Sequence, residues 1–151
     1  MVVPGSEMIT IRERIGSREP AGASLTLGWD QRQKSRFRCR LEDGREVAVM
    51  LSREGVLRQG DCLRADSGLI VEVVAAQEEL MEARTNDPLL FARAAYHMGN
   101  RHVPLEVRTD CMRFKPDHVL EEMLRRLGME LQICRSAFEP ESGAYGGHSH
   151  S

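Results

Sequence analysis

Two helical stripes with the same punctuation constrain this chain more than any other feature. Asn86-Asp87-Pro88 sets a capping side chain ahead of a proline in the first turn, and the stripe Leu90, Phe91, Ala94, Ala95 and Met98 runs from it to Gly99. Pro116-Asp117 opens a second stripe, Val119, Leu120, Met123, Leu124 and Leu127, which stops at Gly128. Alternating segments surround them: Glu78 to Arg84, Val103 to Thr109, Cys111 to Phe114, and Met129-Leu131-Ile133. An apolar residue at every second position marks a strand with one buried face. The order is therefore strand, helix, strand, strand, helix, strand.

That order predicts a ferredoxin-like βαββαβ domain, two helices packed on one face of a four-stranded sheet, over residues 76–138. The residues before it contain strands and turns only. Ile9 and Ile11, the run Ser24 to Gly28, Phe37-Cys39-Leu41, Glu46 to Leu51 and Leu69 to Ala75 are the strands. Asp43-Gly44 marks a tight hairpin, and Gly55, Gly60 and Gly68 mark further turns. Residues 1–75 are expected to form a small antiparallel β-domain. The fold class is α+β, with residues 139–151 expected to leave the fold as a flexible tail.

Composition removes several functions. The 151 residues are 41% hydrophobic and carry a formal net charge of −2, so no global field recruits nucleic acid or an anionic membrane. The longest apolar runs, such as Leu69-Ile70-Val71, are far too short to span a bilayer. Met1 to Gly5 lacks the basic and apolar regions of a signal peptide, and the expected location is the cytoplasm. The four cysteines, at 39, 62, 111 and 134, form no C-x-x-C pair and read as small buried hydrophobes kept reduced. No phosphate-binding loop, dinucleotide fingerprint, nucleophile elbow or H-E-x-x-H motif is present. Glu78-Glu79 and Glu121-Glu122 have no evident cleft and read as solvated surface.

Chemistry concentrates in the histidines, and all five lie in the second half: His97, His102, His118, His148 and His150. In Gly99-Asn100-Arg101-His102-Val103-Pro104, glycine and asparagine end a helix, and His102 falls among the polar set of the following strand, turned outward. His118 sits in the first turn of the second helix beside Glu121 and Glu122, also outward. His97 flanks the buried stripe and reads as a packing or hydrogen-bonding residue. Imidazole suits zinc, copper and nickel. One surface histidine holds such an ion weakly, but a two-fold interface brings the same residue from both copies together. Gly146-Gly147-His148-Ser149-His150 offers further imidazoles; alone, such an end also resembles an expression remnant.

A second feature is a run of cations, Arg32, Lys34, Arg36, Arg38 and Arg40, expected on one strand face. It suits an acidic peptide or RNA. No aromatic residues interleave it and Glu42, Asp43 and Glu46 lie nearby, which favours a solvated or protein-binding face. A metal-dependent hydrolase at the histidine face would need an enclosed cleft and a general base, and the sequence indicates neither.

Four segments together carry a family resemblance: Asp30-Gln31-Arg32-Gln33-Lys34-Ser35-Arg36, Asp43-Gly44-Arg45-Glu46, Tyr96-His97-Met98-Gly99-Asn100-Arg101-His102-Val103-Pro104-Leu105, and Asp117-His118-Val119-Leu120-Glu121-Glu122-Met123-Leu124. They resemble the UreE family, nickel metallochaperones of urease maturation, over nearly the whole chain. The resemblance implies a binding and delivery protein rather than an enzyme. It implies an N-terminal peptide-binding-like domain and a C-terminal metal-binding domain through which two chains pair, with tetramers left open. His102 is then the interfacial Ni(II) ligand from both subunits, His97 and His118 are accessory positions, and the tail supplies ligands, here only His148 and His150. Pro116 stands where some members place another histidine. The implied partners are the urease GTPase accessory protein and apo-urease. The order of divalent affinities leads us to expect Zn(II) or Cu(II) binding in vitro as well.

Overall fold

The structure is a computed structural model that describes residues 8–52 and 55–142. The chain divides into two compact units, one reaching Ala76 and the other starting at Gln77. Each is built around its own sheet.

The first unit contains β1 (Ile9–Ile15), β2 (Ala23–Leu27), α1 (Trp29–Arg32), β3 (Arg36–Arg40), β4 (Glu46–Met50), β5 (Cys62–Ala65) and β6 (Ile70–Ala75). Its strands form one six-stranded sheet in the order β2-β6-β5-β1-β4-β3. The expected antiparallel domain is corrected here: two of the five pairings, β1 with β4 and β2 with β6, are parallel. Alternation tells which residues face inward but not which strand is the neighbour or which way it runs. Here β2, α1 and β3 intervene between β1 and β4, long enough to bring the chain back in the same direction. The inward set, including Ile11, Leu25, Leu27, Val47, Val49, Leu63, Val71 and Val73, forms one core. The β3–β4 hairpin turns at Gly44, whose φ of +93° suits glycine. The Asp43 carboxylate holds that turn by accepting the Arg45 backbone N–H at 3.1 Å.

Arg32 is a second correction. It lies in the single helical turn α1 rather than on a strand, and it is fully buried. Its guanidinium donates to the carbonyls of Leu27 and Leu57 and stands 5.4 Å from the Trp29 ring centroid. A buried cation needs such acceptors, and these explain why Arg32 leaves the exposed run.

The second unit contains β7 (Gln77–Arg84), α2 (Pro88–Asn100), β8 (Glu106–Val107), β9 (Cys111–Phe114), α3 (His118–Leu127) and β10 (Glu130–Ala137). Its sheet order is β10-β7-β9-β8, with every neighbour antiparallel. Met81 and Ala83 of β7 and Met112 and Phe114 of β9 pack with Ala94 and Met98 of α2 and with Leu120 and Leu124 of α3. The opposite sheet face carries a polar row beside the buried Leu80 and Cys111. Gln132, Glu82, Arg113 and Glu106 stand in register, one from each of the four strands. Beyond β10, the Glu139 N–H donates to the Glu106 carboxylate and the Glu141 N–H to the Leu105 carbonyl. The sequence places the start of the tail at 139; these bonds hold the chain against the unit to Glu141. Among the described residues no helix is long and apolar enough to cross a membrane.

Candidate metal centre

His102 follows directly on α2. The Asp87 carboxylate caps the start of that helix, accepting the N–H groups of Leu89 and Leu90 at 2.9 and 3.3 Å, with Pro88 in the first turn. At the other end the Arg101 N–H donates to the Met98 carbonyl and the His102 N–H to the Gly99 carbonyl at 3.0 Å. His102 then takes φ +56°, the only non-glycine among the described residues in the left-handed region. The sequence assigns the permissive backbone to Gly99 and Asn100. Both remain helical, and the reversal falls on the histidine.

The expected strand from Val103 to Thr109 contracts to Glu106–Val107. Pro104 has no N–H to offer a ladder, and the reversal at His102 turns the chain just before it. His102 is exposed, as expected, but because it occupies a corner rather than a strand face.

Two other histidines lie elsewhere on the unit. His118 is the first residue of α3 and is exposed. Asp117 caps that helix by accepting the Val119 and Leu120 N–H groups, and the Glu121 carboxylate, one turn on, accepts the Asp117 N–H at 3.1 Å in return. His97 is exposed on α2, with its ring edge-on to Tyr96 at 5.5 Å between centroids. It was expected to pack or hydrogen-bond. Besides that ring contact it lines an open groove of about 420 Å³ with Arg101, Val119, Glu122, Met123, Arg126 and Leu127. Val119, assigned inward by its helical spacing, is 54% exposed at that groove. His148 and His150 lie outside the described residues.

Among the described residues, no three His, Cys, Asp or Glu side chains come together to hold a metal. The cysteines offer little. Burial pushes the Cys39 thiol up to about 11 and raises Cys111 and Cys134 too, so thiolate is scarce at neutral pH. The described part of one chain thus presents single imidazoles on an open surface.

Sequence reasoning missed the outer face of α2. Leu89 is 58% and Tyr96 66% exposed, with Ala92 and Gly99 on the same side and Arg93 beside them. A Cβ at Gly99 would meet nothing within 4 Å. The signal was available, since Leu89 and Tyr96 are two turns apart and both fall off the buried stripe.

Residues 9–76 match the N-terminal domain of the UreE urease accessory protein family, and residues 78–151 match its C-terminal domain. The chain belongs to the UreE family. The urease accessory protein UreE of Alkalilimnicola ehrlichii is 54% identical over 140 residues, covering 93% of this chain and 86% of the relative. Those of Enterobacter sp. strain 638 and Nitrosococcus oceani are 47% and 46% identical, each covering 95% of this chain and 95% and 88% of the relative. The two UreE matches meet where the two compact units divide, so the His102 corner, α2 and α3 all lie within the C-terminal UreE domain.

Proposed function

We propose that this chain is a nickel carrier for urease maturation, an accessory protein rather than an enzyme. It captures Ni(II) as cargo between two copies of itself. The supporting observation is the His102 corner: an exposed imidazole on a backbone hydrogen-bonded back to α2, which among the described residues joins no group of three His, Cys, Asp or Glu side chains. A two-fold contact would supply the missing ligand, because an isologous interface repeats every residue across the axis. The exposed apolar side of α2, Leu89 and Tyr96 with Ala92 and Gly99, leads toward that corner and is the surface through which copies would pair. The element order and strand order of the second unit support the ferredoxin-like description of the pairing domain.

In this reading His102 from both subunits is the fixed pair of ligands, His148 and His150 complete the shell as mobile donors, and His97 and His118 are accessory positions. Few fixed ligands leave the ion accessible to exchange. The ion passes to the GTPase accessory protein and on to apo-urease in the cytoplasm, with the first unit docking urease components. Zinc or copper binds the same imidazoles in vitro, so selectivity comes from geometry and partners. Calorimetric titration with nickel tests the assignment. His102→Ala should lose the high-affinity site, and a variant that retained it would overturn the proposal.

A further inference from the structure

The first unit carries three cations that no carboxylate among its described residues neutralises. Among its described residues, Arg12, Arg14, Arg18, Arg40, Arg45 and Arg64 each lie within ion-pair distance of a carboxylate. Arg32 is buried against carbonyls, and Arg58 stands over the Trp29 ring at 5.7 Å. Lys34, Arg36 and Arg38 are exposed and make no ion pair among the described residues. In a chain of net charge −2 this is a local concentration of positive charge.

Its place in the sheet is specific. Arg36 and Arg38 belong to β3, the last strand of the sheet. Directly opposite them on β4 are Met50 and Ala48, so their neighbours are apolar and half-buried rather than acidic. The same residues carry the free edge. The Leu51 N–H donates to the Ser35 carbonyl and the Leu41 N–H to the Arg45 carbonyl. In an antiparallel ladder this assigns the odd positions of β3 to bonding with β4. The N–H and C=O groups of Arg36, Arg38 and Arg40 therefore point away from the sheet. Among the described residues the edge meets β2 only past the strand, where the Glu42 N–H donates to the Ser24 carbonyl.

We infer that this edge receives an extended acidic segment of a partner protein, with carboxylates at every second residue, laid beside β3. An extended chain sets alternate side chains on one face about 6.8 Å apart, the same repeat that separates Arg36 from Arg38. Main-chain bonds to the free edge give affinity, and the unpaired guanidinium groups select carboxylates over neutral side chains. RNA fits less well: Phe37, the aromatic residue of this strand, packs against the core and offers no stacking surface. The inference builds on the docking role proposed for the first unit and names the chemistry that docks.

The test titrates the full chain into a fluorescein-labelled peptide of alternating Glu and Val, and into an isomer with the glutamates in one block, reading anisotropy at low and high salt. The alternating peptide should bind about tenfold more tightly, and Arg36→Ala/Arg38→Ala should weaken it about tenfold while leaving the melting temperature unchanged. Arg135→Ala, an exposed arginine of the other unit, should change nothing. Equal binding of the two isomers, an indifferent double variant, or tighter binding of poly-uridine through the same arginines would each overturn the inference. Failure of a 76–151 fragment to differ from the full chain in urease activation would instead strike the docking role and leave the peptide result standing.

Discussion

The Arg113 guanidinium donates to the Glu82 carboxylate at 3.0 Å, and the two residues are direct partners across β9 and β7. Gln132 donates to the same carboxylate at 2.9 Å from the other side, and Arg84 at 3.2 Å. Glu82 is only 3% exposed, so its charge depends on these donors.

Acid stability should report this group. Burial alone would raise the Glu82 pKa, but the hydrogen bonds from Gln132, Arg113 and Arg84 outweigh it and hold the carboxyl at about 2. The folded value lies below the ordinary one, so its contribution is present above about pH 4.5 and is lost as pH falls toward 2. Glu82→Gln should cost roughly 3 kcal/mol at neutral pH and flatten the stability curve across that window. Urea unfolding at a series of pH values measures both, and an unchanged acid limb would refute the assignment.

The helix caps should each be worth about 1 kcal/mol. Asp117→Ala removes the acceptor for the Val119 and Leu120 N–H groups, whereas Asp117→Asn keeps one. Thermal melts should therefore rank wild type and Asn close together and Ala lowest.

Pairing through α2 predicts that Tyr96→Glu moves the protein toward monomer and lowers nickel binding although His102 is intact. Light scattering coupled to size exclusion measures the mass. A variant that stayed paired would place the interface elsewhere.

Removal of residues 146–151 should reduce nickel stoichiometry or affinity and leave the paired state alone. Identical titrations would make His148 and His150 passengers.

Much of the second unit was legible because its signals are local. Asp87-Pro88 and Asp117 start helices where their carboxylates accept backbone N–H groups, and Gly128 ends α3 with φ +111°. Strand direction in the first unit was not legible, since the parallel partnership of Ile9 with Val47 depends on what the intervening chain does. Arg32 was misplaced for a related reason. Every-second-residue spacing from Lys34 to Arg40 extends backwards to it on paper, but the chain coils at Trp29 and draws its guanidinium inside. At His102 the exposure was foreseen and the backbone was not, because glycine and asparagine mark where a chain is free to reverse rather than where it does.

The left-handed backbone at His102 separates two kinds of mutational intolerance that usually coincide. Glycine and asparagine adopt that φ readily, whereas β-branched residues are strained there by about 1–2 kcal/mol. In a saturation library at this codon, Gly and Asn should keep cellular abundance at or above the parental level, and Val and Ile should depress it. Any phenotype shared by Gly and Asn then measures the missing imidazole alone, free of any folding defect.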